Sequence, residues 1–576
     1  MIEGIRRRVL ALAAVALVWG PAGHAAEAIL AGERFRPVTA DGGMVATSHY
    51  IASRVARDVL RDGGNAVDAA VTAGFALAVT QPRSGNIGGG GFMLVSDERS
   101  GEVVAIDYRE TAPAAATETM FQNAEGEVVP ERSRFSANAS GVPGTVAGLA
   151  LALRRYGTRS LAEALAPAIR LAEEGFEVPP RFAEGLTSAR DRLGRWPSSR
   201  AKFFHDDGTP YRAGQVFRQP ALARTLRRIA EQGPKGFYEG VTAERIVSTL
   251  QRHGGIMTLD DLAGYRPVVR EPVHGRYRGY DVYSMGPPSS GGTHIVEILN
   301  ILEGYDIAAA GHNSARTIHL MAEAMKRAYA DRARYLGDSD FVDVPVAGLT
   351  SKAYAGALRG EIDPERATPA DAVAAGDPWP YESNETTHFS IADGDGLVVA
   401  NTYTLNFSYG SGLVVDGAGF LMNNEMDDFS AKPGVPNAYG LIGGEANRIE
   451  PGKRMLSSMS PTIVKKDGRN RLVTGSPGGS RIITTTLQVI MNVIDHDMNI
   501  QTAVNAPRVH HQWRPDYIRI EQGISPDTIA GLEAMGHRVK QERSMGAIQS
   551  ILIDADGFHG AADPRRQTSA AMGVSR

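Results

Sequence analysis

The chain has 576 residues, 43% of them hydrophobic and 22% charged, with 65 glycines, 31 prolines and no cysteine. That is the composition of a folded protein with apolar material for one large core or two, and a formal charge of −4 with no basic run past the N-terminus suits neither nucleic acid nor an anionic membrane surface. Without cysteine, disulfide staples, thiol nucleophiles, cysteine-based zinc sites and iron–sulfur clusters are excluded.

The first 25 residues read as a secretory signal. Arg6, Arg7 and Arg8 precede an apolar run at 9–22, and small residues follow, with cleavage expected after Ala25. The run is shorter than the ~20 residues of a spanning helix, so a soluble, exported (periplasmic or secreted) protein with no later membrane span is expected. Losing Glu3 and the three arginines shifts the charge to −6.

Helical signals dominate the first two-thirds. Ser48 is placed to cap a helix carrying Ile51, Val55 and Val59 at helical spacing, and Asn65 to cap an alanine-rich helix apolar nearly all round. Further helices are predicted at 144–155, 160–174, 219–231, 241–253, 292–303 and 314–335, the last capped by Ser314. Strands are predicted at "GFMLVSD" and "GEVVAIDYRE", and a hairpin at "VHGRYRGYDVYSM" turning at Gly279. Residues 361–382, rich in Pro, Ala, Asp and Glu, lack a core-forming period and read as a flexible linker. Beyond them the texture turns β-rich, with strands at 387–392, 397–405, 461–466, 471–475, 517–521 and 549–554 and helices at 480–495 and 525–537. Mixed strands and helices of this kind indicate a layered α/β or α+β architecture.

Several clusters are candidates for chemistry. "SGNIGGGGFML" lacks the Lys-Ser/Thr ending of a phosphate loop and reads as close backbone packing. "TGSPGGSR", between a strand and a long helix, leaves backbone N–H groups able to hold an oxyanion, although an ordinary tight turn is commoner. "NNEMDDFS" gathers acids without metal-ligand spacing. Arg109 in "DYRE" offers a planar grip for a carboxylate, and "LSSMSP" offers three hydroxyls. His510–His511 read as packing or a hydrogen-bonded pair.

No Gly-x-Ser-x-Gly elbow is present. Threonine is a poor nucleophile without a base, but an N-terminal threonine carries one in its α-amine, whose pKa of ~7.7–8.0 leaves much of it neutral. A cut between Glu385 and Thr386, after the linker, would create such a terminus, and hairpin pairing would set Thr386 against Tyr403 or Thr404. Strand propensity alone keeps this a minority reading.

Taken together, "NETTHFSIADGDG…TYTLN", "NNEMDDFSAKPGVPNAYGL", "LSSMSPTIV", "TGSPGGSRIITTTLQ" and "DYRETAP" resemble the gamma-glutamyltransferase family of N-terminal-nucleophile hydrolases, from about residue 38 to the C-terminus. The resemblance implies a four-layer αββα sandwich built from a precursor that cuts itself into a large subunit (26–385) and a small one (386–576), intertwined as one catalytic domain. It implies Thr386 as self-cleavage agent and nucleophile, Thr404 as its orienting partner, and Gly478 and Gly479 as oxyanion donors. Asn406, Glu425 and Asp428 would hold the substrate's α-amino group, and Arg109, Ser457 and Ser458 its α-carboxylate, from opposite sides of a pocket. Tyr439 would gate a lid at 431–444. The expected donor is glutathione or a related γ-glutamyl compound, with amino acids, peptides or water accepting; no cofactor or catalytic metal is expected. Rival readings are a glutaryl-cephalosporin acylase of the same superfamily, a hydrolase using Ser476, and a periplasmic solute-binding protein.

Overall fold

A computed structural model describes residues 35–381 and 391–576. Two seven-stranded antiparallel sheets form its centre. The first runs, edge to edge, through Val38–Ala40, Gly557–Ala562, Gln549–Asp554, Arg469–Gly475, Thr462–Lys466, Tyr280–Ser284 and Val273–Tyr277. The second runs through Ala570–Val574, Gly43–Thr47, Ile391–Asp393, Leu397–Thr404, Gly90–Asp97, Val103–Tyr108 and Val268–Arg270. The sheets face one another through pairs such as Leu397–Thr404 against Arg469–Gly475. Helices Ala66–Thr80 and Thr145–Tyr156 cover the outer face of the second sheet, and Gly291–Leu302 and Arg481–Ile494 that of the first. This is the layered αββα sandwich, with strands buried on both faces and correspondingly apolar.

The helix Ala66–Thr80 shows why the sequence specifies this layer. All fifteen of its residues are buried, and Asn65 caps it in a box with Asp68. Asp68 is spent on structure: its carboxylate accepts from Asn65 N, Thr158 N and Oγ1, and Arg159 N. Ser314 caps Ala315–Tyr335 as expected, and Ser160 caps Leu161–Glu174. Ser48 does not cap its helix. His49 does, its Nδ1 accepting from Ile51 N at 3.3 Å, so the helix starts at Tyr50.

The segment after 361 is no free linker where it is described. Thr368 N donates to Glu323 at 3.1 Å, the Thr368 carbonyl accepts from Lys326, Ala370 N donates to Asp516 at 2.9 Å and Gly376 N to Asp331 at 2.8 Å. Side chains of the body thus satisfy its backbone groups, as a strapped-down coil requires. Among the described residues no helix is long and apolar enough to cross a membrane. The signal reading (1–25) lies outside the described residues.

Candidate active site

The strand Leu397–Thr404 ends at the wall of a cavity of about 440 Å³. The glycines at 88–91 let it come close to its neighbours: a Cβ on Gly89 would stand 2.0 Å from the Thr404 carbonyl oxygen, which also accepts from Asn86 Nδ2 at 2.8 Å. The polyglycine run is therefore close backbone packing. Thr404 Oγ1 accepts from Asn406 N at 2.8 Å, which leaves its own proton to donate elsewhere. Asn406 sits at φ +71°, a left-handed conformation that asparagine tolerates better than most side chains, and its Nδ2 donates to Asn424 O at 3.0 Å.

The short turn Glu425–Asp428 faces Arg109, which follows the strand Val103–Tyr108. Arg109 is fully buried and donates to Glu425 at 2.5 Å, to Asp428 at 2.6 Å and to the Met455 carbonyl at 3.2 Å. The acids and the arginine, expected at opposite sides of the pocket, are in direct contact. A guanidinium with no access to solvent must be neutralised by hydrogen-bonded carboxylates. Glu110 adds a third carboxyl at 3.7 Å. Burial raises both Glu110 and Glu425, with Arg109 opposing it in each. Arg109 itself is held charged: burial works against it, but Glu425 and Asp428 win.

Ser457 and Ser458 line the same cavity. Ser458 Oγ accepts from Arg332 Nη2 at 3.2 Å, and Arg332 Nε donates to Ser290 Oγ at 2.9 Å. Arg332 is a second buried cation of the cavity that sequence reasoning missed. It ends a helix, where a basic residue ordinarily meets only the dipole and water.

Across the cavity the strand Arg469–Gly475 leads through Gly478 (φ +146°) and Gly479 (φ +60°) into the helix Arg481–Ile494. Both φ values favour glycine. Among the described residues neither N–H has a hydrogen-bond partner, and both residues line the cavity. Tyr439 closes over them, its hydroxyl donating to Asn406 O at 3.2 Å. Gln512, a second residue the sequence did not flag, joins the Tyr439 segment to the turn: its Nε2 donates to Tyr439 O at 3.2 Å while its Oε1 accepts from Ser480 Oγ at 2.9 Å. His510 supports Gln512 at 2.9 Å, and burial lowers it to about 3, so it works as a neutral ring. His510 and His511 are thus buried with separate partners: His510 bonds Gln512, and His511 Nδ1 accepts from Trp513 N at 3.1 Å while its Nε2 lies 3.3 Å from Asp516.

Ser476 also lines the cavity, but it donates to Pro477 O at 2.8 Å and accepts from Ala547 N at 3.1 Å, which commits its proton to a carbonyl rather than to a base. Among the described residues one group has the proximity to hold a cation: His319, Glu323 and His537. There Lys326 and Arg327 already bond Glu323, at 2.5 and 3.0 Å, and supply the positive charge. Glu385 and Thr386 lie outside the described residues. Ile391, five residues beyond Thr386, lines the cavity.

A family model described as Gamma-glutamyltranspeptidase matches residues 52–573. A glutathione hydrolase proenzyme of Escherichia coli (strain K12) is 54% identical over 533 residues, 92% of each chain. The crystal structure of cephalosporin acylase from Bacillus halodurans aligns with a TM-score of 0.82 at 30% identity, covering 97% of this chain and 99% of that one. Helicobacter pylori gamma-glutamyltranspeptidase aligns with a TM-score of 0.57 at 49% identity, over 57% of this chain and 94% of that chain.

Proposed function

Because the chain belongs to the gamma-glutamyltranspeptidase family, a family of hydrolases and acyl transferases, we propose that it is an exported glutathione hydrolase and γ-glutamyl transferase that matures by cutting itself between Glu385 and Thr386. The observation that carries the reading is the convergence on one cavity of a buried Arg109–Glu425–Asp428 cluster, two serines, a free glycine N–H pair and the Thr404 hydroxyl.

In this reading the zwitterionic head of a γ-glutamyl group docks on the cluster. Asn406, Glu425 and Asp428 take the ammonium, and Arg109, Ser457 and Ser458 take the carboxylate. In the mature enzyme Thr404 orients the Thr386 hydroxyl by hydrogen bonding. The Thr386 hydroxyl attacks the γ-carbonyl carbon while its own α-amine takes the proton, and Gly478 and Gly479 donate to the oxyanion. Collapse breaks the amide bond, the leaving amine departs with that proton, and a threonyl ester remains. Water or an acceptor amine then attacks the ester, and its proton passes back through the same α-amine. Tyr439 over the turn slows water entry and favours transfer to amines.

The similarity to a cephalosporin acylase favours a second reading, hydrolysis of a glutaryl amide. A glutaryl group has no ammonium, so it leaves Glu425 and Asp428 without a ligand to serve. Turnover of γ-glutamyl-p-nitroanilide against a glutaryl amide decides between them. The proposal expects a preference for the first that Asp428→Ala abolishes; equal turnover of both, unchanged in that variant, would favour the acylase. Location follows from the N-terminal signal, and cell fractionation tests it: activity confined to the cytoplasm would contradict export.

A further inference from the structure

The loop that carries Asn406 runs on into a second, smaller cavity of about 240 Å³, and Arg83 and Ser408 line both spaces. Arg181, Arg192, Tyr409 and Glu184 line the smaller one as well. Three arginines therefore face one space that holds a single carboxylate, and Glu184 already contacts Arg181 at 3.4 Å. Among the described residues neither Arg83 nor Arg192 has a carboxylate partner: Arg83 donates to Ser408 Oγ at 3.3 Å and Arg192 to the Ser408 carbonyl. Burial depresses both guanidiniums, the mark of cations short of counter-charge.

A second observation is independent of charge. Tyr409 is 2% exposed, and its hydroxyl has no hydrogen-bond partner among the described residues; Arg192 Nε has none either. Buried polar groups are normally satisfied, and an orphaned hydroxyl costs on the order of a lost hydrogen bond. Tyr409 is also held at φ +68°, which a bulky side chain rarely adopts. The chain tolerates both to place that hydroxyl beside two arginines. What such a set of donors lacks is an oxygen anion.

We propose that this cavity is a subsite for the C-terminal carboxylate of a short peptide, either the peptide leaving the donor or an acceptor peptide. The inference rests on the γ-glutamyl reading and deepens it. Ser408 lies two residues past Asn406, so at most ~7 Å of chain separates the head-binding wall from the arginines, the span of an extended dipeptide. Because Arg83 and Ser408 line both spaces, a peptide whose γ-glutamyl group occupies the larger cavity can place its far end against the arginines of the smaller one.

Steady-state kinetics test it, with glutathione, glutathione C-terminal amide and γ-glutamyl-p-nitroanilide as donors and with glycylglycine and its amide as acceptors. In the unaltered protein the amide of glutathione, of glycylglycine or of both should show a KM about tenfold above that of the carboxylate form. Arg83→Gln should raise the KM of the carboxylate form about tenfold and leave its amide and the nitroanilide unchanged; Arg83→Lys should restore most of the loss. Tyr409→Phe, which removes one oxygen, should raise the same KM about threefold. A penalty with glutathione assigns the subsite to the leaving peptide, and one confined to glycylglycine assigns it to the acceptor. Equal handling of acid and amide in both assays would overturn the subsite, as would an equal loss for the nitroanilide in Arg83→Gln. No nitroanilide turnover in the unaltered protein would instead overturn the γ-glutamyl reading itself.

Discussion

The ring of Tyr439 lies so close to Gly479 that a Cβ on that glycine would stand 2.6 Å from two ring carbons. The Tyr439 segment and the Gly478–Gly479 turn are one contact surface. Gly479→Ala should therefore displace Tyr439 and distort a backbone held at φ +60°, lowering kcat by roughly 10²–10³ as loss of an oxyanion donor does. Activity with γ-glutamyl-p-nitroanilide, beside a thermal melt showing the fold intact, checks this; activity near that of the unaltered protein would remove the turn from the mechanism.

Gln512→Ala should loosen the link between the Tyr439 segment and the glycine turn. It removes the donor to Tyr439 O and leaves Ser480 Oγ without its acceptor. One hydrogen bond of about 1 kcal/mol corresponds to roughly a fivefold change in lid closure. The ratio of hydrolysis to transfer should rise by about that factor, with the KM for the donor nearly unchanged.

Arg109→Lys should be severe despite keeping the charge. Lysine cannot reach Glu425, Asp428 and the Met455 carbonyl at once as the guanidinium does. Breaking such a buried network costs about 3–5 kcal/mol, so we expect a melting temperature several degrees lower and loss of most turnover. A variant with unaltered melting and KM would refute the role given to the cluster.

Asp427 gives a pH dependence with a defined sign. Burial raises it to about 6, opposed by a hydrogen bond from Ser133 and by Arg134, while Asp428 adds to the rise. Its Oδ2 accepts from Ala438 N, next to Tyr439, at 3.3 Å. Because its folded value lies above the ordinary 3.8, the native state holds the proton more tightly. The stability this contributes is full below about 4 and lost as pH rises to about 6. Protonation also removes the charge from the bond to the lid. The transfer-to-hydrolysis ratio should thus fall below about pH 6 in the unaltered protein, and Asp427→Asn should show the low value throughout. A flat profile in both would exclude the tether.

The sequence made some of this legible and hid the rest for physical reasons. Helices carrying their own caps, at Asn65 and Ser314, were readable locally. His49 was not, because histidine seldom caps and Ser48 is the better signal. The strands Gly43–Thr47 and Ala570–Val574 are short and rich in Gly, Ala and Met; they exist because Thr47 pairs with Ala570 across more than five hundred residues. The strap at 363–381 has no periodicity of its own, since distant side chains such as Glu323, Asp331 and Asp516 satisfy its backbone. Of the site, the glycine pair, the acidic turn and Arg109 announced themselves by residue type. Arg332 and Gln512 did not, because nothing nearby in the chain distinguishes them from a helix-end arginine or a loop glutamine.

The most direct test of the central claim is the intact mass of the purified protein, with the N-terminal sequence of its smaller fragment. The account predicts two chains, the smaller beginning at Thr386, and one uncut, inactive chain for Thr386→Ala. A single uncut polypeptide that hydrolyses γ-glutamyl amides at full rate would contradict it.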